Sequence, residues 1–151
     1  MIKELASTPL QQIPARLQIY EELITAAESM FELKGKVLED AVKEHLQNLA
    51  LYDTMLQECK TIEFFLETKK EETEATLHRH YLENSQRQLG ARDLTMYIRG
   101  DPQMVEVNQV LLEVGHVKRQ LEAVVEAFKT MGWSLSNIVK LRVVQIDHTT
   151  L

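Results

Sequence analysis

Cationic, imidazole and aromatic side chains concentrate between residues 69 and 81 of this chain. Lys and Arg neutralise phosphate groups, and a tyrosine ring offers a flat surface on which a nucleic-acid base can stack. This combination predicts a surface for a polynucleotide, with Tyr97 and Arg99 as nearby additions. The residues expected to contact nucleic acid are Lys69, Lys70, His78, Arg79, His80, Tyr81, Arg87 and Arg92.

A simpler interpretation is that this stretch of helix extends beyond the apolar core of the protein and is exposed to solvent. Glu71, Glu72 and Glu74 fit this interpretation, because a run of acidic residues is usually a solvated face. The residue pattern alone leaves the nucleic-acid surface and the solvated helix as two open alternatives.

Other kinds of chemistry find little support in the sequence. His78 and His80 form an H-x-H pair, but residues two apart on a helix point about 200° apart and cannot share a metal ion. Cys59 falls among apolar positions, where cysteine is usually a small core residue. No nucleophilic triad or glycine-rich phosphate loop is visible. We therefore expect no enzymatic activity, no cofactor and no metal.

One very long helix must position the cationic run. Residues 37–84 contain no Pro or Gly and would extend about 70 Å as a helix. Apolar positions in the middle of this helix fall within about 140° of arc around its axis. Residues 69–81, the cationic run, continue the same face of the helix. The predicted core face comprises Leu51, Tyr52, Met55, Leu56, Cys59, Ile62 and Leu66. A helix this long suggests a coiled coil or an oligomer.

Proline and glycine residues indicate where helices begin and end on either side of this long helix. Pro14 can open a first helix that runs to about Lys34, and Gly35 marks a break. Residues 85–99 are expected to form a looser connection that contains a short helix over 91–98.

The strongest start signal stands at Asp101 and Pro102, a capping residue followed by a proline suited to the first helical turn. We expect that helix to end at Gly132 in a left-handed conformation. Ser134 would then cap a final short helix to about Val144, followed by a frayed tail.

Apolar residues in the predicted helix over 102–131 recur at alternating spacings of three and four, interrupted by Lys118. This heptad seam requires a partner helix, for which other copies of the same chain are the expected source. The seam comprises Met104, Val107, Leu111, Val114, Leu121, Val125 and Phe128.

Composition supports an all-α protein, and the long helices and the heptad seam predict that these helices form a coiled-coil-like oligomer. The 151 residues include five glycines and three prolines, and a single cysteine fits a reducing compartment, so a cytoplasmic location is expected. No apolar run is long enough for a membrane span. The net charge of −6 arises entirely in residues 1–68, which speaks against a broad basic field but allows a local basic stripe.

With these residues in view, the chain resembles the UvsY recombination mediator family of T-even-like phages. The resemblance covers residues 45–143, and residues 1–35 look divergent or additional. One matching stretch contains Asp101, Val107, Leu111, Gly115, Ala127, Lys129, Gly132, Trp133, Ile138 and Arg142. A second matching stretch contains Leu51, Tyr52, Leu56, Ile62 and Leu77.

The resemblance implies a non-enzymatic mediator of DNA recombination, repair and replication. Such proteins bind single-stranded DNA as ring-like homo-oligomers, heptamers in the known case, and help a strand-exchange recombinase displace the single-strand-binding protein. The family's DNA-contacting Lys and Arg correspond to His78 and His80, with Arg79 between them. The implied organisation is an N-terminal helical extension, residues 1–35, before a mediator and oligomerisation domain, residues 36–151. If the protein is phage-encoded, its location is the host cytoplasm.

Two alternatives from other functional classes remain. The chain could be a coiled-coil assembly or scaffold protein without DNA affinity, since a heptad seam serves any helical partner. A much weaker alternative is a metal-binding regulator that uses His78 and His80.

Overall fold

The computed structural model describes residues 9–85 and 88–149, with side chains as far as residue 145. A short 3₁₀ turn, Leu10–Gln12, precedes four α-helices. These are α1 (Ile13–Met30), α2 (Leu38–Asn84), α3 (Ala91–Gly100) and α4 (Pro102–Thr149). No strand occurs within these ranges, so the predicted all-α class is confirmed. No helix in the described part of the chain is long and apolar enough to cross a membrane.

The predicted boundaries of the first three helices are close to those observed. Helix α1 carries Pro14 in its first turn, and Gly35 in the following turn has a φ of 80°, which favours glycine. Helix α2 runs unbroken for 47 residues, and Glu39 and Asp40 in its first turn interact favourably with the helix dipole. Helix α3 confirms the short helix expected over 91–98 and extends it to Gly100.

The predicted end of the last helix is wrong. Helix α4 continues through Gly132 and Ser134 to Thr149, so one helix replaces the two expected and the tail is helical as far as that residue. The Ser134 hydroxyl donates to the Thr130 carbonyl oxygen at 3.4 Å within the helix and caps nothing. The start is confirmed, because the Gln103 amide donates to Asp101 Oδ1 at 2.9 Å.

The chain folds as two compact units, and α1, α2 and α4 each contribute to both. The described residues of the first unit lie within Met1–Gln18 and Glu58–Val117, and those of the second lie within Ile19–Gln57 and Lys118–Leu151. The division at residue 35 expected from the resemblance is a functional one and stays a prediction.

Apolar residues of α1, α2 and α4 are buried in the first unit. They are Ile13, Leu17, Cys59, Ile62, Leu66, Val107, Val110, Val114 and Val117. A second buried cluster, around α3, comprises Leu77, Leu94, Ile98 and Met104, with Tyr81 and Leu89 packed against it.

Burial raises the pKa of the Cys59 thiol to about 12. Glu58 and Glu63 raise this pKa by smaller amounts, and Arg16 partly opposes them.

The second unit is built around Phe128, which is fully buried. Its ring centroid lies 4.6 Å from that of Phe31 and 5.3 Å from that of Tyr52. The Tyr52 hydroxyl donates to the Leu23 carbonyl oxygen, and burial raises the pKa of that phenol. Leu51, which the sequence places on this core face, is instead 47% exposed.

The heptad seam is filled inside a single chain. Val114 and Leu121 are both fully buried without any second copy. Lys118 does not interrupt the seam, because Val117 takes the core position at 1% exposure, while Leu111 is only half-buried beside the buried Val110. The expectation that other copies fill the seam is therefore corrected. An oligomer of this protein has to use a different surface.

Candidate nucleic-acid interface

The predicted cationic run lies in the first unit, where the C-terminal part of α2 packs with α3 and the start of α4. The buried cluster of Leu77, Leu94, Ile98 and Met104 joins these three helices. Leu77 is the core residue of the cationic run, and α3 contributes Leu94 and Ile98 at a spacing of four. The polar side chains around this cluster are therefore carried on packed helices.

A cleft of about 410 Å³ opens beside this cluster. Three of its residues, Lys70, Glu74 and His78, lie four apart on α2 and therefore form one stripe along the helix. Thr95 and Arg99 of α3 and Asn108 of α4 complete the polar lining. The apolar lining residues are Ala91, Leu94, Ile98 and Met104.

The charges of the cleft are not neutralised by one another. Among the residues that the structure describes, no ion pair within 4 Å links Glu74 to Lys70, His78 or Arg99. The cleft therefore contains two cationic side chains, Lys70 and Arg99, and the imidazole of His78, but only one carboxylate, that of Glu74. This balance suits an anion such as a phosphate group, with Glu74 opposing its binding.

Tyr81 lies on the same helix as the cleft stripe, three residues beyond His78. Its hydroxyl donates to Asp101 Oδ2 at 2.8 Å, while Oδ1 of the same carboxylate accepts the Gln103 amide at 2.9 Å. The hydrogen bond to Asp101, with smaller contributions from burial and nearby negative charge, raises the pKa of Tyr81. One carboxylate thus holds both the tyrosine and the start of α4.

Tyr81 is also the centre of an aromatic group. Its ring stacks on Tyr97 of α3 with centroids 5.7 Å apart and planes inclined at 27°. The His80 ring meets it edge-on at 5.4 Å. His80 itself is held locally, since Asn84 Nδ2 lies 3.1 Å from its Nδ1 and donates to its carbonyl oxygen.

The structure brings only some of the predicted contact residues together. Lys70 and His78 share the cleft, and Tyr81 lies next to it along α2. Lys69 and His80 lie together on a neighbouring flank of α2, while Arg79 is about 180° from Lys70 around the helix. Arg92 is exposed on α3 outside the cleft lining. Arg87 lies outside the described residues.

Several cleft residues were not predicted as contacts. The sequence indicates Arg99 only as a nearby addition, although its spacing of four from Thr95 places the two on one side of α3. The acidic run around Glu74 favours a solvated face, yet its spacing of four from both Lys70 and His78 places it on their side of α2. Nothing in the sequence could bring Asn108, thirty residues beyond His78, to the same cleft.

The histidine pair shows no arrangement for a metal ion. His78 lines the cleft, whereas His80 faces Tyr81 and Asn84. No group of three or more His, Cys, Asp or Glu side chains able to hold a metal occurs in the parts of the chain described. The Cys59 thiol, fully buried and with a raised pKa, is unsuited to nucleophilic attack near neutral pH.

Comparison with known proteins adds no assignment. No protein-family model, curated protein or solved structure matches this chain. The resemblance to the UvsY family therefore stays a sequence-based expectation.

Proposed function

We propose that this protein is a non-enzymatic recombination mediator. It binds single-stranded DNA as a homo-oligomer and helps a strand-exchange recombinase replace the single-strand-binding protein on the strand. The observation that carries the proposal is the cleft in which Lys70, His78 and Arg99 converge with no ion-pair partner among the described residues, beside a pair of stacked tyrosines.

The cleft supports binding of a flexible, single strand. Lys70 and Arg99 can each neutralise a phosphate, and the apolar lining of Leu94, Ile98 and Met104 limits water around the bound anion. Cations with a nearby aromatic ring are the usual elements of sequence-tolerant single-strand binding.

One protomer offers few cations, and oligomerisation would multiply them. A closed assembly presents several weak sites to one strand, so the overall affinity can exceed that of a single site by orders of magnitude. In the second unit, α4 exposes Trp133 at 75%, Leu141 at 64% and Val144 at 50%. These residues fall within about 80° of arc and offer an apolar face for self-association.

Binding of a fluorescently labelled oligonucleotide, followed by anisotropy at several salt concentrations, tests the DNA-binding part. Wild-type protein should bind at low salt, and removal of each phosphate-neutralising cation should reduce the slope of log K against log salt by about 0.7. Lys70→Ala and Arg99→Ala should therefore each reduce the slope. Lys60→Ala, an exposed lysine on α2 away from the cleft, is the matched control. Absence of binding by the wild type at low salt would overturn the proposal.

The mediator part requires a second assay. The recombinase ATPase on single-stranded DNA already coated with single-strand-binding protein should rise when the wild-type protein is added. Arg99→Ala should stimulate less, and Lys60→Ala should stimulate fully. If the protein binds DNA yet leaves the ATPase unchanged, the mediator role is refuted and DNA binding stands alone.

The exposed apolar face of α4 favours a second candidate function, a helical assembly or scaffold protein without DNA affinity. This candidate predicts self-association or capture of a helical partner through Trp133 and Leu141. It also predicts that Lys70→Ala and Arg99→Ala have no effect. The salt titration separates the two candidates directly.

A further inference from the structure

Tyr97 is an exposed aromatic side chain on α3. It is not one of the residues that pack this helix against the rest of the first unit. Leu94 and Ile98 are the residues that bury α3, at 7% and 6% exposure, whereas Tyr97 is 55% exposed. Only the contact with Tyr81 holds its ring among the aromatic pairs of the described residues. An exposed aromatic ring with one supported face is suited to contact a second flat, apolar surface.

The Tyr81 ring, on which Tyr97 stacks, is itself held in place. The Tyr81 hydroxyl is hydrogen-bonded to Asp101 at 2.8 Å, and the edge-on contact with His80 restricts its ring from another direction. Asp101 is in turn anchored to the first turn of α4 through the Gln103 amide. A ring held in one orientation before binding loses less conformational entropy when a ligand stacks on it.

We propose that Tyr97 is the stacking platform for one base of the bound single strand, with Tyr81 and Asp101 as positioning residues. This inference rests on the proposed function. Tyr97 and Arg99, two residues apart on α3, point about 200° apart, so the strand would cross the exposed side of that helix. A phosphate then lies at Arg99 and a base lies on Tyr97.

Two oligonucleotides of equal length separate stacking from phosphate binding. One is a labelled oligo-dT, and the other is an abasic strand with the same number of phosphates. Wild-type protein should bind the oligo-dT about tenfold or more tightly than the abasic strand, the scale of one base stacked on an aromatic ring. The salt slopes for the two strands should be equal, because their phosphates are the same.

Substitutions at position 97 then assign the difference to the ring. Tyr97→Phe keeps the platform and should keep the preference for oligo-dT. Tyr97→Ala should bring the two affinities within about twofold while the salt slope stays unchanged. Phe64→Ala removes another exposed aromatic ring of the same unit, 67% exposed on α2, and should leave the preference intact. Far-UV circular dichroism confirms that each variant remains helical.

The positioning role has its own readout. Tyr81→Phe removes the hydrogen bond to Asp101 but keeps a ring under Tyr97. It should lower the preference for oligo-dT to a value between those of the wild type and Tyr97→Ala, again without changing the salt slope. A variant indistinguishable from wild type would overturn the role assigned to Asp101 and Tyr81.

The outcomes distinguish this inference from the function on which it rests. Failure of the wild type to bind either strand would overturn both. Equal binding of both strands by the wild type would overturn the stacking platform and leave phosphate binding intact. A preference for oligo-dT that survives Tyr97→Ala would place the base elsewhere and overturn the assignment to Tyr97.

Discussion

The imidazole of His45 occupies the space beside Gly132 in which any other residue would carry its Cβ atom. A Cβ built on Gly132 would lie 2.9 Å from His45 Nε2. His45 is only 7% exposed, and its ring centroid lies 6.2 Å from that of Phe128, so the imidazole has to shift from this position if residue 132 gains a Cβ atom. Gly132 therefore serves close packing of α2 against α4 within the second unit, and α4 continues past it.

Overpacking beside His45 costs about 1–3 kcal/mol, and alanine gains about 0.8–1 kcal/mol over glycine in a helix interior. We predict that Gly132→Ala destabilises the protein by the difference, up to about 2 kcal/mol. Urea unfolding measures the difference. Gly100→Ala is the control, since a Cβ there meets nothing within 4 Å.

A double-mutant cycle tests the reason for that effect. In a His45→Ala background the space beside Gly132 is empty, and Gly132→Ala should become neutral or stabilising. If Gly132→Ala costs the same in both backgrounds, contact with His45 is not the cause.

Val114→Glu should abolish cooperative folding rather than merely dissociate an oligomer. Val114 is fully buried within one chain, and burial of an unpaired carboxylate is strongly unfavourable. Leu112→Glu, at a position 71% exposed on the same helix, should keep the fold. Thermal melting followed by circular dichroism compares them. A folded Val114→Glu protein of unchanged stability would show that the seam is not core.

Glu74→Gln should strengthen binding of the labelled oligonucleotide by about two- to fivefold at low salt. The substitution removes the carboxylate that opposes a phosphate in the cleft, and exposed charge interactions have this size. The gain should shrink at high salt because ions screen the repulsion. Glu72→Gln, on α2 but outside the cleft lining, should change little, and an equal gain there would indicate a nonspecific charge effect.

Stability should fall as the pH rises from about 9 towards 12. The Cys59 thiol has an ordinary pKa of 9.0 that burial in the folded protein raises to about 12. In this interval the unfolded chain loses a proton that the folded protein retains, so unfolding becomes more favourable. The free energy of unfolding in urea, measured across this range, should decline less steeply in Cys59→Ala.

Two tyrosines should account for part of the decline in unfolding free energy with pH that remains in Cys59→Ala. The pKa values of Tyr52 and Tyr81 are also raised, so both phenols act in the same direction above pH 10. Identical pH profiles for Cys59→Ala and the wild type would contradict the part assigned to the thiol.

Self-association should depend on the exposed apolar face of α4. Native mass measured at several concentrations should show an oligomer for the wild type, and Trp133→Ser with Leu141→Glu should shift it towards the monomer. Both side chains are exposed in the single chain, so the fold should survive. Lys129→Ala, an exposed substitution on the same helix, is the control. A wild type that is monomeric at every concentration would refute the oligomer.

Local signals in the sequence were sufficient for the all-α class and for most helix boundaries. Asp101 and Pro102 start α4 as predicted, and the break at Gly35 is real, because capping and backbone strain depend on a few adjacent residues. The core face of α2 followed from helical periodicity, except at Leu51. The same periodicity placed Lys70 and Tyr81 on the cationic and aromatic continuation of that face, whereas His78 was singled out by the family resemblance.

Only the tertiary structure decided what those signals pack against. Gly132 carries a stop signal, yet α4 continues through it, and a distant side chain, His45, fills the space that a Cβ atom would take there. The seam of α4 is filled by the chain's own helices, and Arg99 and Asn108 join Lys70 through packing that no sequence spacing encodes. Helical periodicity specifies which face is apolar; the surface that covers it depends on contacts between residues far apart in the chain.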